Sequence, residues 1–300
     1  MGFDGLGVVF ASFGTTHDDT RGRCIDAVAA ELGTALPGAS LAQAYTSSIV
    51  RRVLAHRSGD GRNPVPDACG ALDGLAARGV REVVVQPGHL MPGHEYEKLR
   101  RQVASCESLF ERVAVGEPLL AGTDDVHRLV DIVAAEFPRQ EGRAIVLMGH
   151  GTDHFANVVY EAMNFYAGLI GRDDLLIGTV EAQPDLETLL RLLEERGDRG
   201  GARADAAGAV EGPRDRRGFE RVTLAPLMLV AGDHATNDMA GEGPDSWASR
   251  LHAAGYDVTC VLRGLGELPE VRRMYVEKAR AAAARLAGHV DAAGSEGAGR

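Results

Sequence analysis

Short, almost continuous apolar runs alternate along the chain with longer stretches in which apolar residues recur at helical spacing. The runs predict strands over residues 6–12, 40–45, 81–86, 111–115, 143–148, 174–180, 220–230 and 256–262. Helices are predicted near 18–32, 64–78, 94–109, 124–136, 155–169, 184–196 and 244–253, and from Pro269 to about residue 287. Proline suits a first helical position because its missing N–H has no partner there. Strands that are apolar throughout are buried on both faces, so the pattern implies parallel sheets covered by helices on each side. The eight strands divide four and four near Pro138–Gly142. The predicted fold is therefore α/β: two similar doubly wound lobes, residues 1–138 and 139–300, each with a mainly four-stranded parallel sheet, and a cleft between them.

Two segments break the rhythm. Residues 198–218 are dominated by Gly, Ala, Asp and Arg and contain nothing that could supply a core. They are expected to form a disordered insertion, and residues 288–300 a disordered tail.

An internal echo supports the two-lobe reading. Phe13-Gly14-Thr15-Thr16-His17 follows the first strand and His150-Gly151-Thr152-Asp153-His154 the fifth, with Gly-Thr and a later His in common at an offset of 137 residues. Gln86-Pro87 before Gly93-His94-Glu95, and Ala225-Pro226 before Gly232-Asp233-His234, repeat at an offset of 139. Two matches at nearly one period point to two related halves.

Composition narrows the function. A net charge of −11 argues against wrapping a polyanion, so no nucleic-acid partner is expected, and 5% aromatic residues leave little for base stacking. The first residues lack a basic segment before their short apolar run, and no apolar stretch reaches the ~18 residues that a membrane span requires. A cytoplasmic protein without a membrane partner is expected. Cys24, Cys69, Cys106 and Cys260 are scattered with no CxxC pair, so they read as isolated thiols rather than zinc ligands or a disulfide framework.

In open α/β sheets, ligands sit beyond the carboxyl ends of the strands. His150 follows the fifth predicted strand, Glu181 the sixth, and His234 comes shortly after the seventh. Two imidazoles and a carboxylate suit a divalent first-row cation such as cobalt, nickel, iron or zinc; magnesium or calcium would want mostly oxygen. Any one of these residues alone more often caps a helix or satisfies a loop; three at strand ends in one half favour a site. In the first half, His89, Leu90, Met91, His94 and Glu95 lie in a Gly- and Pro-shaped loop just past a strand. The turn Ser12-Phe13-Gly14-Thr15 precedes a helix start whose N–H groups could take a carboxylate, although Asp18 and Asp19 also fit a capping role. Neither turn is a Walker loop or a GxGxxG, and GxSxG is absent.

These residues carry a resemblance. SFGTTHDDTR (12–21), VVVQPGHLMPGHEYEKLR (83–100), VLMGHGTDHFAN (146–157), GTVEAQPDLE (178–187), LAPLMLVAGDHATNDMAG (224–241) and GLGELPEVRRMYVEK (264–278) resemble the anaerobic sirohydrochlorin cobaltochelatases of cobalamin synthesis, class II chelatases with a ferrochelatase-like fold. The likeness spans nearly the whole chain apart from the insertion and tail. It implies a bilobal enzyme that places Co2+ in sirohydrochlorin, with no organic cofactor; Ni2+ and Fe2+ remain alternative metals, and a tetrapyrrole- or metal-carrying protein without turnover is the alternative of another class. Homo-oligomerisation stays open. The family's metal ligands fall on His150, Glu181 and His234, with His150 and His234 catalytic. Ser12, Phe13, Gly14, Thr15, His89, Leu90, Met91, His94 and Glu95 are the expected substrate contacts. Two positions depart from the family pattern: His94 stands where Glu is expected, and Ser48 where Arg is expected after Thr-Ser.

Overall fold

A computed structural model describes residues 3–59, 65–205 and 218–295. In chain order the elements are β1 (Leu6–Ser12), α1 (Asp18–Thr20), α2 (Ala27–Ala35), β2 (Ser40–Tyr45), α3 (Ser48–Arg57), α4 (Ala68–Ala76), β3 (Glu82–Pro87), α5 (His94–Cys106) and β4 (Arg112–Val115). There follow α6 (Thr123–Glu136), β5 (Arg143–Gly149), α7 (Val158–Leu169), β6 (Leu175–Thr179), α8 (Leu186–Asp205), β7 (Arg221–Pro226), α9 (Trp247–Ala253), β8 (Asp257–Cys260) and α10 (Pro269–Ser295). The strands form two four-stranded sheets, ordered β2-β1-β3-β4 and β6-β5-β7-β8, and every pairing is parallel.

By internal packing the chain divides into Met1–Ala121 with Gly266–Arg300, and Gly122–Leu265. A cut at residue 138 would give α6 to the first lobe and α10 to the second. In the structure α6 packs on α7, while α10 packs on α2, β3 and β4. In the first unit, Val9, Ala11, Val83 and Val85 of the sheet meet Leu72, Leu75, Leu99 and Val103 of α4 and α5. Phe10 points to the other face, edge-on to Tyr275 of α10 at 5.9 Å between ring centroids. Tyr275 is fully buried, which pushes its phenol pKa up, and its hydroxyl donates to the Gly88 carbonyl at 3.1 Å. In the second unit, Val146, Met148 and Leu224 pack with Leu189, Leu193, Trp247 and Leu251.

All eight strands form where the apolar runs lie, the seventh and eighth clearly shortened, the eighth to Asp257–Cys260. The seventh ends at Pro226 rather than at 230, because proline has no N–H with which to continue a ladder. The predicted helix 18–32 is interrupted by a π-helical turn over Arg21–Asp26. α3 lies where the apolar pattern predicts no helix; Ser47 caps it by accepting from Val50 N at 3.3 Å. α8 runs through Asp205, into the segment expected to be disordered from 198; the rest of that segment, 206–217, lies outside the described residues. α10 likewise continues through Ser295 where a tail was expected from 288, and 296–300 lie outside the described residues. Extending an existing helix costs far less than nucleating one, so glycines in these stretches slow but do not stop propagation. The cysteine expectation also needs correction. Cys69, near the start of α4, is bonded to Cys106 at the end of α5, with Cα atoms 6.0 Å apart. The two helices pack together, and packing, not sequence spacing, brings the thiols into range. Cys24 and Cys260 are free. No helix among the described residues is long and apolar enough to cross a membrane.

One buried ion pair anchors β6. Arg172 Nε lies 2.8 Å from Asp174 Oδ1, with the Asp174 side chain 1% exposed, and the guanidinium also donates to the Ala134 and Phe137 carbonyls. Asp174→Ala should cost ~3 kcal/mol, since it strands a largely buried cation. The melting temperature should fall by about 6–12 °C. A melt within a degree of wild type would show that the pair contributes nothing net.

Candidate metal centre

The second sheet brings His150, Glu181 and His234 to one edge. His150 follows β5 directly, and Glu181 comes two residues after β6. Their backbones are tied: Val180 N donates to Gly149 O at 3.0 Å and Glu181 N to His150 O at 2.9 Å. Leu227 N donates to Met148 O at 2.8 Å, fixing the departure of the β7 loop that leads to His234. The His150 and His234 rings meet edge to face with centroids 4.6 Å apart. Glu181 Oε2 lies 3.7 Å from His150 Nδ1. The side chains are 46%, 58% and 39% exposed for His150, Glu181 and His234, so all three can be reached by a ligand.

His150 Nδ1 is 3.0 Å from the Gly151 carbonyl oxygen. A carbonyl only accepts, so the ring proton belongs on Nδ1 and the lone pair on Nε2. Gly151 has φ +86°, and a Cβ there would fall 2.8 Å from Ala182 N and 2.9 Å from Thr179 Cβ. Tyr160 supports the same turn from beneath, its hydroxyl accepting from Gly151 N at 3.4 Å. Burial pushes that phenol's pKa up, so it stays protonated.

His234 begins a π-helical turn, His234–Met239, in a segment that looked like a loop. Its Nδ1 lies 2.5 Å from Asp238 Oδ2. Asp238 and Tyr160 are the residues that sequence reasoning missed. The four-residue spacing from His234 to Asp238 was a usable signal, but only once the segment is known to be helical.

The first unit gathers its candidates at the carboxyl edge of its own sheet. Thr46 N donates to Ser12 O at 2.8 Å and Ser47 N to Phe13 O at 3.2 Å. Ser12 is fully buried, Thr15 nearly so, and Phe13 is half exposed. Gly14 has φ +92°, and a Cβ would strike the Tyr45 ring at 2.6 Å. His89 Nε2 faces Thr46 Oγ1 at 3.3 Å, while its Nδ1 is buried without a hydrogen-bond partner among the described residues. Burial, then the neighbouring Lys98 charge, push its pKa down to about 4, so it is a neutral imidazole at neutral pH. The backbone carbonyls of His89 and Leu90 accept from Leu119 N and Leu120 N. Leu90 and Met91 are half-buried, His94 is exposed at the start of α5, and Glu95 pairs with Lys98 at 3.4 Å.

The echoing turns share one geometry. His17 N donates to Thr15 Oγ1 at 3.2 Å, and His154 N to Thr152 Oγ1 at 3.1 Å, each just after a glycine of positive φ. His154 also caps the short turn Phe155–Asn157, accepting from Ala156 N at 3.0 Å.

The family model of the cobalt chelatases (CbiK) matches residues 6–284. The chain is 35% identical over 271 residues to a sirohydrochlorin cobaltochelatase of Salmonella typhimurium, covering 90% of this chain and 93% of that one. It is also 35% identical over 272 residues to sirohydrochlorin cobaltochelatase CbiKC of Nitratidesulfovibrio vulgaris, covering 87% and 84%. Among solved structures, SirB from Bacillus subtilis with Fe3+ aligns at TM-score 0.60 and 12% identity, over 96% of this chain and 98% of that one. A cobalt complex of the sirohydrochlorin chelatase SirB from Bacillus subtilis subspecies spizizenii aligns at 0.54 and 13% identity, over the same shares. At such identities these two speak to the fold.

Gly151→Ala should disturb the Glu181–Ala182 turn against His150, because both the positive φ and the close backbone oppose a Cβ. Binding of a divalent first-row cation should weaken several-fold, with a stability cost of ~1–3 kcal/mol. Titration and melting of the variant check this; unchanged affinity would show that the turn does not set the ligand geometry.

Proposed function

The chain belongs to the cobalt chelatase (CbiK) family, and from that premise we propose that it inserts Co2+ into sirohydrochlorin with release of two protons, the metallation step of anaerobic cobalamin biosynthesis. It is a metal chelatase of the lyase class. The observation that carries the residue assignment is the pair of imidazoles, His150 and His234, in edge contact at 4.6 Å on one strand-end edge.

Metallation exchanges two pyrrole N–H protons for one dication, so the site must deliver a cation and take up protons. Neutral imidazole can do both. His150 and His234 hold the incoming Co2+, and Glu181, whose side chain is exposed enough to rotate, completes the ligand set. As pyrrole nitrogens displace these ligands, an imidazole accepts each of the two departing protons in turn and passes it to solvent. We assign this to His150, whose Nδ1 faces the Gly151 carbonyl and whose Nε2 lone pair is therefore the one that takes the proton. Ser12, Phe13, Gly14, Thr15, His89, Leu90, Met91, His94 and Glu95 are assigned to the tetrapyrrole, with the exposed Phe13 ring and the Leu90 and Met91 side chains offering apolar surface. No organic cofactor enters this chemistry, and the reaction is placed in the cytoplasm.

His150→Ala and His234→Ala should each lower turnover by roughly 10²–10⁴-fold, the worth of general acid–base action. Their melting should stay near wild type, since both rings are substantially exposed. Absorbance changes of sirohydrochlorin with Co2+, Ni2+ and Fe2+ in parallel measure both the loss and the metal preference, since the donor set accepts all three ions. Near-normal turnover by both variants at saturating metal overturns the site.

Metal ligands must be deprotonated, so cations and protons compete for them. Raising Co2+ should therefore move the acidic limb of wild-type activity to lower pH. A limb indifferent to Co2+ would assign it to a group that is not a ligand.

A further inference from the structure

The two imidazoles differ in what holds them. His150 Nδ1 meets a neutral acceptor, the Gly151 carbonyl, at 3.0 Å. His234 Nδ1 meets a charged one, the Asp238 carboxylate, at 2.5 Å. The second contact exists because His234–Met239 coil as a π-helical turn, closed by Ala240 N donating to Ala235 O at 3.2 Å. Single π-helical turns of this kind concentrate at functional sites. Here the turn sets residues four apart so that carboxylate and ring nitrogen touch.

We propose that Asp238 is a positioning residue for the metallation reaction, fixing the His234 ring and its tautomer so that Nε2 presents a lone pair to the cation. A carboxylate accepts only, so its partner nitrogen carries the proton and the other nitrogen is left to coordinate. The negative charge also raises the donor strength of the ring, the usual effect of a carboxylate behind a metal-binding histidine. The inequality divides the labour: His234, backed by a charge, is the stronger and more fixed ligand. His150, hydrogen-bonded to a carbonyl with the Glu181 carboxylate further off at 3.7 Å, lets the cation go more readily. This rests on the assignment of His150 and His234 as metal ligands.

The test is Co2+ binding to the full chain without tetrapyrrole, read from the visible absorption of the bound ion. Asp238→Ala should weaken binding by about 10–100-fold, and Asp238→Asn, which keeps an acceptor oxygen, should recover a clear part of that loss. The downfield Nδ1–H proton resonance of His234 should be present in wild type and lost in Asp238→Ala. Melting should barely change, because the Asp238 side chain is 45% exposed. Wild-type affinity in Asp238→Ala, while His234→Ala binds poorly, overturns the inference and leaves the metal site standing. Equal losses in Asp238→Asn and Asp238→Ala overturn it too, because an acceptor oxygen at that position would then do nothing to fix the His234 ring or its tautomer. Wild-type affinity in His234→Ala overturns the metal site itself, and this inference with it.

Discussion

The Glu181 amide donates to the His150 carbonyl, and the Leu227 amide to that of Met148, so β5 is gripped on both sides as it ends. These bonds prolong the parallel ladders β5–β6 and β5–β7 to the strand ends and just beyond. In a parallel sheet every strand delivers its chain to the same edge, which is why residues 31 and 84 positions apart, His150 with Glu181 and with His234, can share one site. Register does the rest. A shift of one residue at β6 would exchange Glu181 for a neighbour and move each buried side chain to the opposite face of the sheet. The fully buried β6 makes such a shift costly, because Leu175, Leu176 and Ile177 would all have to repack.

The same frame is used twice. Gly88 N donates to Ala11 O in the first sheet as Leu227 N donates to Met148 O in the second. A threonine hydroxyl catches the amide two residues ahead in both Gly-Thr turns. Each unit also carries one helix from beyond its run of strands: α10 lies on α2, β3 and β4, and α6 lies on α7. The repeat therefore includes its covering helix, and the last helix of the chain serves the first sheet. What the halves do not share is chemistry. Position 12, equivalent to Gly149, is a buried serine, and the residue after it is an exposed phenylalanine where the second unit has His150.

The sheets, their order of elements and the gathering of His150, Glu181 and His234 at one strand-end edge were legible because long apolar strands leave strong local signals, and because parallel topology forces their ends together. The failures are equally physical. α3 was hidden because it buries little, Leu54 alone among its residues, and so leaves hardly any apolar periodicity. The π-helical turn at His234 was hidden because its backbone bonds depend on packing of Ala235 and Met239, both buried, rather than on propensity. Asp238 could not be singled out without that turn. The Cys69–Cys106 bond needed the packing of α4 on α5, which no spacing rule supplies. Ends of α8 and α10 were misjudged because propagation is nearly free where composition is merely neutral.

A site that transfers its ion must differ from one that keeps it. Structural metal sites are closed, four-coordinate and buried, and they hold the ion as part of the fold. The edge formed by His150, Glu181 and His234 is open, each side chain roughly half exposed, so the ligand set proposed above would leave coordination positions for an incoming group. Openness usually costs precision, since exposed side chains wander. Here the precision comes from below, from Gly151 seated on Thr179 and Ala182, from Tyr160 under the turn, and from Asp238 behind His234. The net charge of −11 adds a long-range component, drawing dications toward the protein while opposing a macrocycle that carries carboxylates of its own. Capture of the metal is thereby favoured by the whole chain, whereas capture of the tetrapyrrole depends on local apolar and donor groups. The fold supplies a rigid edge, and the chemistry is left to a few side chains that can let go.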